Sequence, residues 1–239
     1  MSKDIRIKRG LDIKLKGAAD KILANTERSS VYAIKPTDFV GVTPKVRVKE
    51  GDEVLAGQPL FHSKDDDRIV FCSPVSGEVA AVVRGEKRKL LEIHIVPDAE
   101  DRYLEFTSKS PSDLDREAIV QNLLDSGMWP FIRQRPYAVI ASPDDKPYSI
   151  HISCFNSAPL ATDQDFALNG LESEFQIGLE AVKKLTDGKV HLNIDASGVP
   201  NKLFTEAKGV QVNRFKGPHP AGNVGVQIHH VEPINKGDI

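Results

Sequence analysis

The sequence predicts a chain of the α+β or α/β class, a carrier-like β-barrel-sandwich module followed by a Rossmann-like parallel-sheet α/β lobe. Three observations predict it. Between Val40 and Val96, short apolar stretches alternate with regularly spaced turn signals, the pattern of a small β module. From about Asp98 onward the apolar period becomes a mixture of 2 and 3.6. There the order is strand, helix, strand, helix, strand, which implies right-handed crossovers and a parallel sheet with covered faces.

Residues 3–16 alternate around Ile5, Ile7, Leu11, Ile13 and Leu15 and predict β structure broken at Gly10. Val46 and Val48 alternate with charged residues ahead of the turn Glu50-Gly51-Asp52. Residues 63–68 form a charged tip with three consecutive aspartates. Residues 69–72 lead into the turn Ser73-Pro74-Val75-Ser76-Gly77, and two further strands, 79–83 and 90–96, flank Arg84-Gly85-Glu86-Lys87. Val48-x-x-Gly51-Asp52 is echoed by Val82-x-x-Gly85-Glu86. Two such units suggest a pseudo-symmetric β-barrel-sandwich module like the biotinyl and lipoyl carrier domains. Lys64 is the one lysine placed to carry a group, yet its setting Ser63-Lys64-Asp65-Asp66-Asp67 matches neither carrier motif.

In the second part, residues 111–126 predict a helix capped by Ser110 or Ser112, with acids in its first turn and Gly127 as its stop. The stretch from Gly127 to Pro136 holds the single tryptophan, Trp129. Residues 148–155 predict a strand. Residues 171–185 predict a strong helix, since Phe175, Leu179, Val182 and Leu185 fall at spacings of 4, 3 and 3. A strand follows at 189–195, a short helix at 200–208 and a strand at 209–215. His229 and His230 are placed on a strand, pointing to opposite faces. Together these elements predict a Rossmann-like parallel-sheet α/β lobe. Ligands of such sheets sit beyond the carboxyl ends of the strands, here at Asn156-Ser157, at 195–198 and at 217–222.

Lys plus Arg number 32 and Asp plus Glu 34, a formal charge of −2. That balance argues against a nucleic-acid-binding protein. Basic residues cluster early, at Lys3, Arg6, Lys8, Arg9, Lys14 and Lys16, a run that reads as a solvated face. No segment approaches the roughly 18 apolar residues of a membrane span. The charged start lacks the apolar core of a signal peptide, and two unpaired cysteines, Cys72 and Cys154, fit a reducing compartment.

Motifs for chemistry are scarce. The strand at 148–155 is followed by Asn156-Ser157-Ala158-Pro159, without the glycines that bring backbone N–H groups to a pyrophosphate. A P-loop is absent. The seven histidines include no zinc signature, so His151 and His191 read as structural residues on their strands and no metal ligand is named. Two cysteines are too few for an iron–sulfur cluster. No catalytic group emerges from spacing.

Four segments carry a resemblance. The first runs from Val40-Gly41-Val42-Thr43-Pro44 through Gly51-Asp52-Glu53-Val54 to Gly57-Gln58-Pro59-Leu60-Phe61. The second joins Ser73-Pro74-Val75-Ser76-Gly77 to Arg84-Gly85-Glu86-Lys87-Arg88. The third is Trp129-Pro130-Phe131-Ile132-Arg133-Gln134-Arg135-Pro136, with Ser157-Ala158-Pro159-Leu160 downstream. The fourth is Leu185-Thr186-Asp187-Gly188-Lys189-Val190 and Gly217-Pro218-His219-Pro220-Ala221-Gly222. In this order they resemble the family of A subunits of the sodium-translocating NADH:quinone oxidoreductase. That family is related to the C subunit of the Rnf complex and to the flavoprotein subunit of respiratory complex I.

The resemblance implies a peripheral subunit without a cofactor of its own, on the cytoplasmic face of the bacterial inner membrane. The whole complex uses NADH, flavins, iron–sulfur centres and quinone. It implies other subunits as partners, a link to quinone, and no activity for this chain alone. Under it the domains are a strand and linker at 1–34, the carrier-like module at 35–97, the α/β lobe at 98–228, and the start of a further region at 229–239. A quinone or docking crevice is then expected at Asn156, Asp195 and His219. Arg133 and Arg135 would approach it, and Trp129 and Phe131 would offer ring surface, although packing is the more ordinary role for these aromatics. The competing readings are a carrier modified on Lys64 and an independent flavin- or NADH-binding protein.

Overall fold

A computed structural model describes residues 2–106, 109–198 and 200–238. Along the chain the strands are β1 (Asp4–Arg6), β2 (Tyr32–Ile34), β3 (Pro44–Val46), β4 (Glu53–Val54), β5 (Pro59–Ser63), β6 (Val70–Cys72), β7 (Gly77–Arg84), β8 (Leu90–Pro97), β9 (Arg133–Gln134), β10 (Val139–Ile140), β11 (Ser149–Ser153), β12 (Lys189–Asp195) and β13 (Gln211–Lys216). The α-helices are α1 (Arg116–Asp125), α2 (Gln164–Ala167), α3 (Glu172–Lys183), α4 (Lys202–Thr205) and α5 (Val224–Val231). Two compact units result. One comprises Met1–Ala24, Ser110–Arg116 and Asp144–Ile239, the other Asn25–Lys109 and Glu117–Pro143. These do not follow linear boundaries at 34, 97 and 228: the first strand joins the α/β unit, and α1 with the Trp129 segment joins the β unit.

The β unit holds an antiparallel sheet in the order β2-β8-β7-β4 and a second in the order β3-β5-β6. Alternation along β7 and β8 points Val79, Ile93 and Ile95 inward, whereas β5 is buried on both faces, so that its consecutive residues Leu60 and Phe61 are fully buried too. Phe61 stacks on Phe71 at 4.5 Å, and Phe39 meets Phe71 edge-on. The internal echo is partial. Gly51 takes φ +85° in the first turn, but in the second Lys87 and Arg88 carry the positive φ angles, +54° and +60°. At the charged tip the Ile69 amide bonds to the Asp66 carbonyl, so the turn lies at 66–69. Lys64 sits off it, its amide bonded to the Thr43 carbonyl at 2.8 Å.

Gly127 ends α1 as the sequence indicates. It takes φ +68°. Its amide donates to the Leu124 carbonyl and the Met128 amide to that of Leu123, the paired bonds of a Schellman cap. The predicted helix start differs: residues 111–113 form a 3-10 turn capped by Ser110, and α1 begins only at Arg116.

The α/β unit is a parallel sheet in the order β1-β13-β12-β11. One face packs Cys154, Leu179, Leu192, Ile194, Leu203 and Phe204 beneath α3 and α4. Phe175 meets Phe204 edge-on at 5.5 Å. The other face carries in-register polar rows, His151 beside His191 and Ser153 beside Asn193 beside Asn213. The expected strand over 3–16 is corrected to 4–6. Leu11, Ile13 and Leu15 are 77%, 65% and 50% exposed. Residues 229–231 are also corrected: His229 and His230 lie in α5, which Asn223 caps by accepting from the Gly225 amide at 2.9 Å.

Candidate functional site

Three of the seven predicted site residues lie where the parallel sheet ends. Asn156 follows β11, Asp195 closes β12 and His219 follows β13. Two of them make local turns. Asn156 Oδ1 accepts from the Ala158 amide at 2.9 Å, and Asp195 Oδ1 from the Ser197 amide at 2.8 Å, each an Asx turn. His219 Nδ1 lies 3.0 Å from Ser157 Oγ, which accepts from the Gly222 amide at 2.8 Å.

The loop over 217–223 is fastened on two sides. From the N-terminal segment, the Leu11 amide donates to the His219 carbonyl at 3.0 Å, and Asp12 Oδ1 accepts from the His219 amide at 2.8 Å. A β-carbon at Gly10 would fall 2.0 Å from the His219 carbonyl oxygen, so only glycine permits the approach. From within, Gln227 Nε2 donates to Ser153 Oγ at 3.0 Å and to the Ala221 carbonyl at 3.1 Å. Beside this loop a cleft of about 490 Å³ opens past the ends of β1 and β13. Arg6, Ile7, Lys8, Ser197, Lys216 and Pro218 line it. Three cationic side chains with apolar walls suit a ligand that combines negative charge with hydrocarbon.

The other four predicted residues belong to the β unit. Trp129 is 3% exposed and its indole N–H donates to the Ala141 carbonyl at 2.8 Å, so its polar handle is satisfied within that unit. Phe131 is 65% exposed and meets Phe39 edge-on at 6.3 Å. Arg133 Nη1 donates to the Ala138 carbonyl at 3.2 Å across the β9–β10 hairpin. Arg135 is half-buried at the hairpin turn.

Among the described residues, one group has donors suited to a metal: His151, His191 and Glu232, whose ligand atoms all lie within 4.8 Å of one another. Burial, with the neighbouring His191 adding to it, pushes the His151 imidazole down to about 4. Burial also lowers His191, against the pull of Glu232. Burial opposes ionisation of Glu232, but bonds from Ser149 and His191 outweigh it and hold the carboxyl below its usual range. Spacing gave no sign of this group, because its members are at least 40 residues apart in sequence. The signal lay in the parallel register, which sets His151 beside His191.

Two family models cover most of the chain. Residues 5–98 match the NqrA N-terminal barrel-sandwich hybrid domain, and residues 114–239 match the NqrA second alpha/beta domain. The chain belongs to the NqrA family. It is similar to the A subunit of the Na(+)-translocating NADH-quinone reductase of Photorhabdus laumondii subsp. laumondii, 36% identical over 233 residues, which cover 97% of this chain and 52% of the relative. The corresponding protein of Hahella chejuensis is 37% identical over the same shares. That of Glaesserella parasuis serovar 5 is 34% identical, again over 97% and 52%. The chain therefore spans about half the length of the curated NqrA relatives it matches. No described helix is long and apolar enough to cross a membrane.

Proposed function

We propose that this NqrA-family chain works within a membrane complex that passes electrons from NADH to quinone and exports sodium. It acts there as a peripheral subunit on the cytoplasmic face, without a redox cofactor of its own, contributing to docking and to the quinone-reducing end. The observation that carries this reading is the likeness, over 97% of the chain, to relatives named as the A subunit of the Na(+)-translocating NADH-quinone reductase.

The cofactor-free part rests on what occupies the sheet end. A dinucleotide or flavin phosphate needs open space and free N–H groups past a strand. Past β11 that space holds the backbone of Gly222, and the Ala158 and Gly222 amides already donate to Asn156 and Ser157. The apolar-walled cleft and the neighbouring His219 support a role near a quinone headgroup, His219 being able to hydrogen-bond a carbonyl oxygen and the three cations suiting the negative charge that such oxygens gain on reduction.

The test is His219→Ala in the assembled complex. Truncation leaves the backbone bonds to Leu11 and Asp12 in place, so the melting temperature should hold while quinone affinity and turnover fall. Unaltered affinity and turnover in a folded, assembled complex would remove His219 from the quinone site.

A further inference from the structure

We propose that His151, His191 and Glu232 form a binding site for one divalent transition ion of the zinc class, clasping β11 and β12 to the segment that follows α5. Two imidazoles and one carboxylate are a donor set such ions favour. Parallel register places His151 opposite His191, their rings stacked with centroids 4.5 Å apart and planes 17° from parallel. Glu232 caps the carboxyl end of α5 and brings Oε2 to 3.1 Å from His191 Nε2. Three elements distant in sequence thus turn their donors toward one point.

The second observation is a set of polar atoms with no partner. His151 Nδ1 and Asn193 Nδ2 are buried and make no hydrogen bond. Buried polar groups are rarely left so. Next to them runs an amide ladder: Asn213 Nδ2 lies 3.2 Å from His191 Nδ1 and 3.0 Å from Asn193 Oδ1. With Asn213 Nδ2 donating, His191 Nδ1 is an acceptor, and its single proton sits on Nε2, donated to Glu232.

Turning both asparagine amides over changes this. Asn213 Oδ1 then accepts from His191 Nδ1–H and from Asn193 Nδ2, which gains the partner it lacks. The contact from Gln211 Nε2 to Asn213 Oδ1, long at 3.4 Å, is the bond exchanged for these. His191 Nε2 becomes a bare lone pair facing Glu232, and its other nitrogen is held by an amide oxygen. This is the outer-shell arrangement of metal-bound histidine. The ion takes the place of the proton on His191 Nε2, which passes to Nδ1 as the amides turn, so His191 stays neutral and binding sheds no net proton.

Donor atoms on a tetrahedral zinc ion stand about 3.3 Å apart, given bonds of roughly 2.0–2.2 Å. The cluster must therefore contract from its present spread, and the two rings must tilt out of their stack. Three protein donors leave a fourth position to water, and Ser149 Oγ, 3.3 Å from His151 Nε2, stands beside it.

The experiment uses this chain stripped with a chelator, then titrated with Zn²⁺ and separately with Mg²⁺ as a hard-ion control. One equivalent of Zn²⁺ should bind with little net proton release near neutral pH and raise the melting temperature, with Mg²⁺ inert. Glu232→Gln and His151→Gln, both at partly exposed positions, should each weaken Zn²⁺ binding at least tenfold while remaining folded by circular dichroism. His229→Ala with His230→Ala, on the exposed side of α5, should leave binding unchanged. Failure to bind one equivalent, or equal binding by the two Gln variants, would overturn the proposal. So would loss of binding in the His229/His230 variant, which would make the uptake a surface event.

Discussion

Gly222 packs so closely on Ser157 that a β-carbon there would fall 2.3 Å from the Ser157 amide nitrogen and 2.9 Å from Asn156 Cα. Both neighbours are backbone, so neither can swing aside. Gly222→Ala should therefore destabilise the chain by about 1–3 kcal/mol, the usual range for overpacking. Denaturant unfolding of the variant checks it. An unchanged midpoint would mean that the loop over 217–223 lifts away freely, and the end of β11 would then be open to a ligand.

Trp129 and Phe131 should behave differently although they are two residues apart. Trp129→Ala removes a buried ring that also donates to Ala141, and should cost ~3–5 kcal/mol. Phe131 is 65% exposed, so Phe131→Ala should change stability by less than about 1 kcal/mol. If Phe131→Ala weakens assembly or quinone turnover at constant stability, its exposed ring contacts a partner or ligand. If neither changes, Phe131 leaves the candidate site.

Both thiols should be inert in the folded chain. Burial pushes Cys72 up to about 11 and Cys154 up to about 12. At pH 8 about one Cys72 in a thousand is then thiolate, and the thiolate is the reactive form. Iodoacetamide at pH 8 should label neither cysteine until denaturant is added. Rapid native labelling of Cys72 would show that its contact with Gly127, where a β-carbon would lie 2.5 Å from Sγ, opens readily.

Where the sequence pattern was strong, it located elements closely. The strand at 189–195 is β12 to the residue, and the helix predicted over 171–185 is α3 over Glu172–Lys183. Both carry apolar residues at one clear period over at least seven positions. The pattern misled where pairing decides. Residues 11–15 alternate as well as residues 3–7 do, but β13 ends at Lys216 and the chain turns at Gly217. The alternating residues beyond Ile7 thus find no strand to join.

Nonlocal register hid the rest. Nothing local says that β1 pairs with β13, or that His151 lies beside His191. The helical nature of α5 was legible in principle: Asn223 is a capping residue, and Val224, Gln227, Ile228 and Val231 share one face at spacings of 3, 1 and 3. Of the candidate site, the strand-end positions were readable from topology, whereas the burial of Trp129 and the loop packed against Ser157 were not.

Acid should weaken the metal-free chain before its ordinary carboxylates titrate. His151 falls to about 4 in the folded state, and His191 is also lowered from the usual 6.5. Between these values and 6.5 the unfolded chain binds more protons, so stability falls as pH falls through that window. Glu232, held below its usual 4.5, adds a loss of the same sign at lower pH. Melting temperatures from pH 7.5 to 4.5 should decline, and His151→Gln should flatten the decline. A flat wild-type profile would mean that these imidazoles are protonated in the folded chain.

The most direct test of the proposed function is affinity purification of the tagged protein, at its native level, from solubilised native membranes. The expected result is a complex that reduces quinone with NADH in a sodium-stimulated reaction, with the flavins carried by other subunits. Recovery of this protein free of partners, or carrying bound flavin itself, would contradict the proposal.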